Sequence, residues 1–329
     1  MTVRLLAFTD RGFSLAERLT KELGGTASKC GADCPLDRWT ADAFSSADAL
    51  IFVGAAGIAV RAIAPHVRSK TADPAVLVAD ELGRYAIPIL SGHLGGANAL
   101  ARRAAALCGG EAVITTATDI HEVFAVDLWA KAQNCAVLEP ERIKTVSARL
   151  LAGEQVFFES DWPVDGETPA GLVPGTGEGF SVSISNKTDA RLHLVPRIVT
   201  LGAGCKRGTP QEILEAALSA FLANNSLCSK AVVQVCTIDR KGDEPGLLAF
   251  CAAHGWPLRT FSAEELAALP GKFSSSAFVK QITGVDNVCE RAAVLGSGGA
   301  LLFPKEACRG VTLAATVAPY APNWRWRDV

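Results

Sequence analysis

Short, nearly uninterrupted apolar runs recur through the first third of the chain, at Val3–Phe8, Ala49–Val53, Ala75–Val78, Ala86–Leu90 and Ala112–Thr115. Runs of this length bounded by turn residues predict strands buried on both faces. Between them the spacing becomes helical. Ser14-Leu-Ala-Glu17 has the form of a capping box and predicts a helix to about Leu23. Further helices are predicted around Ile58–Ala64 and, alanine-rich, from the loop Ser91–Asn98 to Gly109. Strand–helix alternation of this kind predicts an open, mainly parallel sheet with helices on both faces.

The pattern changes in the middle. A helix at about Glu141–Leu151 and short strands at Gln155–Glu159 and Phe180–Ser185 flank the Pro- and Gly-rich stretch Trp162–Gly179, which predicts a long loop or several turns. The last part returns to α/β. A strand at Ile198–Leu201 leads through glycines to Thr209-Pro-Gln-Glu212, which predicts a helix start with Thr209 as cap. Ile213, Leu214, Ala217, Leu218 and Phe221 continue at helical spacing. Strands at Ala231–Ile238, Ala300–Phe303 and Val311–Val317, with helices at Leu247–His254 and Asn287–Ala293, complete it. The expected fold class is α/β: two open, mainly parallel modules, residues 1–121 and 197–329, joined by a smaller central α+β segment, 122–196. The tail from Asn323, with Trp324 and Trp326, reads equally as frayed or docked.

Composition narrows the classes. At 49% hydrophobic and 20% charged residues the chain has material for a sizeable core. A net charge of −2 provides no global field for nucleic acid, so an anion site must be local. The apolar run before Thr9 and Asp10 reads as a first strand and not as a signal peptide. No apolar stretch approaches the roughly 18 residues of a membrane helix. A cytoplasmic protein is expected, with no nucleic-acid or membrane partner. Ten cysteines without a CxxC pair, and five histidines without ligand spacing, predict reduced thiols and no protein-held metal.

Four glycine- or hydroxyl-rich loops follow predicted strands, where open α/β sheets place ligands. In Gly54-Ala-Ala-Gly57-Ile-Ala-Val-Arg61 a helix start is either an anion site or a bare turn. In Ser91-Gly92-His93-Leu94-Gly95-Gly96-Ala97-Asn98 the missing side chains let a ligand approach the backbone, and His93 could act as a base. Thr115-Thr116-Ala117-Thr118-Asp119 either binds polar groups and orients His93, or forms a turn and helix cap. Gly202-Ala-Gly204-Cys-Lys206-Arg207-Gly208 departs from the GxGxxG nucleotide spacing, yet its two cations suit carboxylates. Lys280, Glu290 and Lys305, with Gly284 and Val285, form a further charged set.

Several stretches together resemble the cobalt-precorrin-5A hydrolase family: FVGAAGIAVRAIAP (52–65), SKTADPAV (69–76), SGHLGGANALA (91–101), TTATD (115–119), LGAGCKRGT (201–209), the run ending at Gln281–Val285, VCERAA (288–293) and the region of Lys305. The resemblance implies hydrolysis of a ring A lactone on a cobalt-bound tetrapyrrole of the anaerobic cobalamin pathway. It implies release of the C20 carbon and its methyl as acetaldehyde, giving cobalt-precorrin-5B. The cobalt arrives with the substrate, so no cofactor is expected. A homodimer and hand-over to neighbouring pathway enzymes are both compatible with it. Substrate carboxylates would then meet Arg61, Lys70, Lys206, Arg207 and Lys305, with Gly54, Gly57, Ser91, Gly92, Gly95, Gly96, Asn98, Thr116, Gly204, Gly208 and Glu290 also in contact. His93 would be the base, oriented by Asp119, and the amides of Gly95 and Gly96 would hold the oxyanion. The loops of both outer modules would grip the macrocycle. Two other readings are a non-catalytic corrinoid carrier and an α/β enzyme binding a nucleotide.

Overall fold

A computed structural model describes residues 1–69, 72–93 and 95–326, with the backbone alone at Phe278. The described chain forms two compact units. The first comprises residues 1–131, 143–154 and the tail from Arg325, and the second comprises 132–142 and 155–324.

The first unit begins with β1 (Val3–Ala7), α1 (Asp10–Leu23), β2 (Thr26–Lys29), α2 (Leu36–Ser46), β3 (Ala49–Val53), α3 (Ala56–Ile63), β4 (Ala75–Ala79) and β5 (Tyr85–Leu90). It continues with α4 (Ala97–Cys108), β6 (Glu111–Ala112), α5 (Ala117–Ile120) and α6 (Val126–Ala132). The strands form one sheet in the order β2-β1-β3-β4-β5-β6. All residues of β3 and β4 are buried, as their unbroken apolar runs require. Side chains alternate between two cores. Leu5, Ile51 and Leu77 meet Leu15 and Leu19 of α1 and Leu100 and Ala104 of α4. Leu6, Leu50, Phe52 and Val76 meet Trp39 of α2 and Ala59 and Ile63 of α3.

Two local expectations change. The first helix starts at Asp10, because the Thr9 hydroxyl accepts the Gly12 amide at 3.0 Å, and Ser14 lies inside the helix, donating to the Asp10 carbonyl. The sheet also reverses direction. β1–β4 are mutually parallel, but β5 runs antiparallel to β4, and β6 follows β5. The turn responsible is Asp80–Arg84. The Asp80 carboxylate accepts the amides of Leu82 and Tyr85, and Gly83 takes the left-handed conformation at φ 70°. The loops after β3 and after β5 therefore leave opposite ends of the sheet.

β7 (Cys135–Val137) precedes α7 (Ile143–Leu151), which belongs to the first unit, and is followed by β8 (Val156–Ser160), β9 (Leu172–Pro174), β10 (Gly179–Val182) and β11 (Leu192–Pro196). These strands form a sheet in the order β7-β11-β10-β8-β9. Then come β12 (Val199–Gly204), α8 (Gln211–Asn224), β13 (Val232–Ile238), α9 (Pro245–His254) and β14 (Leu258–Phe261). The last elements are α10 (Ala263–Ala268), α11 (Ala277–Thr283), α12 (Cys289–Ser297), β15 (Ala300–Cys308) and β16 (Val311–Val317). This sheet has the order β14-β13-β12-β16-β15, with β12, β13 and β14 parallel.

The helical spacing from Leu214 to Phe221 holds, and those residues are buried against β12, β13 and β16. The predicted cap does not hold: the Thr209 hydroxyl donates to the Lys206 carbonyl at 2.7 Å, and Pro210 stands at the helix start. On the other face Gly202 is necessary, since a Cβ there would lie 1.8 Å from the Cys289 carbonyl oxygen at the start of α12. Trp324 is docked. It is buried, its amide donates to Asp165, and its ring edge meets Phe158 at 4.8 Å. Among the described residues no helix is long and apolar enough to cross a membrane.

Candidate active site

His93 sits in the loop between β5 and α4. The loop is built by its own backbone and short side chains. Ala97 and Asn98 donate amides to the carbonyls of Ser91 and Gly92, and the Gly96 amide donates to the His93 carbonyl at 2.9 Å. Ser91 stands at φ 54° and its hydroxyl donates to the Asp73 carbonyl. Gly92 and Gly95 are bare because the loop packs on itself. A Cβ would lie 2.8 Å from Asn98 Oδ1 at Gly92 and 2.4 Å from Ser91 Cβ at Gly95. Gly96 needs its left-handed φ of 85° to turn into the helix. The Gly96 amide is thus already engaged and does not serve an oxyanion in this loop. Of the amides at 95–98, that of Gly95 has no acceptor among the described residues.

The imidazole lies between two carboxylates. Nε2 is 2.7 Å from Asp119 Oδ2, with the Thr118 hydroxyl at 3.3 Å, and Nδ1 is 3.3 Å from Asp127 Oδ2. Asp119 is fixed in turn by Arg102, whose guanidinium donates to Oδ1 at 2.6 Å, and by the Asn98 amide at 3.0 Å. Burial pulls the His93 pKa down. The hydrogen bonds and charges of Asp127, then Asp119, more than offset that, and the group titrates above its ordinary 6.5. For Asp119, burial pushes upward, but the bonds from Arg102 and His93 win and hold it below its ordinary 3.8. Both ring nitrogens are therefore engaged, and the geometry favours an imidazolium over a free base.

Asn98 is buried, and its amide is spent on Thr116 Oγ1 at 3.0 Å and on Asp119. It and Thr116 hold the acid in place. The other sequence candidates of this unit lie elsewhere. Gly54, whose amide donates to the Ala79 carbonyl, marks the opposite end of the sheet, and the Phe8 ring fills the space where its side chain would be, 2.6 Å from a Cβ. Gly57 and Arg61 follow on α3, both exposed. Lys70 lies outside the described residues.

In the second unit Gly204 ends β12 beside Thr312, and Glu290 at the start of α12 meets Lys305. Thr312 donates to the Gly204 carbonyl, and Glu290 accepts the Lys305 amide at 2.8 Å. Glu290 is buried and accepts three more hydrogen bonds: the amide and hydroxyl of Ser274, each at 2.9 Å, and the Asn287 side chain at 2.7 Å. Burial raises its pKa, but these donors outweigh it and hold the group ionised. A carboxylate with four donors has no room for a substrate group, so Glu290 ties the 273–276 segment to α12 and β15. Lys305 Nζ donates to the Ser274 carbonyl. The Gly208 amide donates to buried Glu244 at 2.6 Å, which also pairs with Lys241, so this loop too is fixed from beneath. The side chains of Lys206 and Lys280 are exposed, with no hydrogen-bond or ion-pair partner among the described residues; Arg207 faces Asp243 at 3.3 Å.

Sequence reading missed Arg102 and Asp127. Asp127 had a signal: a lone acid in the apolar run Phe124-Ala-Val-Asp127-Leu-Trp129 needs a partner once buried. Arg102 is one exposed charge among many on an alanine-rich helix, and nothing local distinguishes it. Among the described residues no group of three or more His, Cys, Asp or Glu is arranged to hold a metal ion.

Residues 38–119 match the family model described as the cobalamin synthesis G N-terminal region, 124–193 the cobalamin biosynthesis central region, and 199–316 the cobalamin synthesis G C-terminus. These matches define a class, proteins of cobalamin synthesis. The chain is 35% identical to the cobalt-precorrin-5A hydrolase of Salmonella typhimurium, over 96% of this chain and 98% of that one. It is 32% identical to the enzyme of that name from Priestia megaterium, over 84% and 80%. The chain belongs to the cobalt-precorrin-5A hydrolase family. The crystal structure of CobE, a protein from the cobalamin biosynthetic pathway, is also similar, with a TM-score of 0.36 and 27% identity, over 38% of this chain and 93% of that one.

Proposed function

We propose that the protein hydrolyses the ring A lactone of cobalt-precorrin-5A and releases C20 with its methyl as acetaldehyde, leaving cobalt-precorrin-5B. Family membership supports the substrate. The observation that carries the chemistry is His93, lodged between Asp119 and Asp127 in a loop at the end of a sheet.

The contact to Asp127 is the longer of the two, so Nδ1 is the nitrogen that exchanges partners when substrate and water enter. Water placed there lies against the Asp127 carboxylate, which takes its proton as the oxygen attacks the lactone carbonyl. The Gly95 amide and the imidazolium stabilise the oxyanion. His93 then gives its proton to the C20 oxygen as the ester bond breaks. The products of this step are a free ring A acetate and a hydroxyl on C20. Loss of the hydroxyl proton, formation of the C=O bond and cleavage of the bond from C20 to the ring release acetaldehyde. The electron pair passes into the macrocycle, which takes up a proton. Asp119, held by Arg102, keeps His93 protonated up to that transfer. The acetate and propionate side chains of the substrate require cationic partners.

The test is incubation with cobalt-precorrin-5A, following acetaldehyde and product mass. One acetaldehyde per substrate supports the reading. Binding without acetaldehyde sinks it in favour of a carrier, and full turnover by His93→Ala removes His93 from the mechanism.

A further inference from the structure

The chain returns to the first unit at Arg325, and Trp326 lands on Phe124, with ring centroids 5.1 Å apart at 71°. Phe124 is buried and also packs on the buried Trp129, at 6.0 Å. Phe124 and Trp129 bracket the first turn of α6: the Trp129 amide donates to the Ala125 carbonyl, and Asp127 lies between. Just upstream, the Val123 amide donates to Thr118, next to Asp119. Asp127 itself is nearly buried, with Oδ1 accepting the Leu128 amide and Oδ2 facing His93. The side chain that meets Nδ1 is thus mounted on a turn whose flank is closed by an aromatic residue from the far end of the chain.

We infer that Trp326, acting through Phe124, holds the first turn of α6 and so sets Asp127 against His93. It is a positioning residue. Its catalytic consequence rests on the proposed role of His93; its packing role does not. An edge-to-face aromatic contact is directional, so loss of the Trp326 ring frees Phe124 to rotate and loosens the turn. Among the described residues the charged groups facing His93 are Asp119, with Arg102 behind it, and Asp127; the Lys131 ammonium lies near Gly96 of the same loop. Of the groups that raise its protonation, Asp127 contributes most. Loosening Asp127 therefore moves the His93 titration to lower pH.

The experiment is an NMR titration of His93 in the full chain without substrate, assigned with His93→Gln, for the wild type, Trp326→Ala, Asp127→Asn and the double variant. Trp326→Ala is expected to shift the midpoint downward, in the same direction as Asp127→Asn and by a smaller amount. The double variant is expected to match Asp127→Asn. Trp326→Phe, which keeps a ring, restores the wild-type curve and serves where the alanine variant does not fold. A wild-type titration in Trp326→Ala, an additive double variant, or a Trp326→Phe that shifts as far as Asp127→Asn overturns the inference. The readout needs no turnover, so it stands apart from the acetaldehyde assay. Where both hold, the alkaline limb of the Trp326→Ala activity profile moves to lower pH.

Discussion

His93 in the first unit and His193 in the second are both lodged between two acids. His193 Nδ1 is 3.0 Å from Glu139 Oε1, and Nε2 is 3.2 Å from Asp189 Oδ1 but off the line of a hydrogen bond. Their settings differ. His193 is on strand β11, its side chain 5% exposed, and its own amide donates to Glu139. Arg191 binds Asp189 through two nitrogens and also reaches Glu159, while Arg142 ties down the carbonyls of Asp189 and Arg191. His93 stands on a loop at a sheet end, and its acids come from two separate short helices. A histidine between two acids thus forms a sealed structural knot in one place and a more accessible cluster in the other. Access, and freedom of one nitrogen to change partners, are what the role proposed for His93 requires and what His193 lacks.

His93→Ala is the sharpest test of that contrast. Acetaldehyde release should fall by about 10²–10⁴-fold, the usual worth of a positioned acid–base group, measured as kcat on folded protein. Glu139→Ala should act on stability instead. It strands the buried amide and Nδ1 of His193, and urea unfolding should show a loss of about 2–4 kcal/mol with turnover per folded molecule unchanged. A kinetic defect there would erase the distinction.

The pH dependence of stability sharpens it further. The folded pKa of His93 lies above its unfolded value, so its contribution is complete below the unfolded value and fades as pH rises through the folded one. Asp119 is depressed, so its contribution is present above its unfolded value and fades as pH falls through the folded one. The cluster therefore stabilises most between about pH 4 and 6.5. Urea midpoints across pH should show an alkaline decline that is shallower in Asp127→Asn. The smallest effect is expected from Arg102→Ala. Its side chain is 56% exposed, and the loss should be within about 1 kcal/mol, with a modest downward drift in activity as Asp119 gains freedom.

The sequence was most legible where burial and backbone agree. The apolar runs of β3 and β4 and the spacing from Leu214 to Phe221 led directly to buried elements. It was least legible where several signals compete for one group. Ser14 and Glu17 fit a capping box, but Thr9 lies at the true boundary and takes the amide first. Thr209 fits a cap, but its hydroxyl turns back to the Lys206 carbonyl and Pro210 takes the boundary. At Gly54, Gly92 and Gly95 the bare positions make room for Phe8, Asn98 and Ser91, packing that only the fold reveals. That His93 could meet Asp119 was legible from the two loops. Its second acid was not, because Asp127 is distant in sequence and only the fold sets it against Nδ1.

The reversal at Asp80–Arg84 also affects how the protein can be handled. Glu81, Leu82 and Arg84 are exposed on that turn, which caps the sheet at the end away from His93. A surface linker or a reporter dye placed on that turn would therefore sit at the far end of the sheet from the histidine loop and leave that loop unmodified.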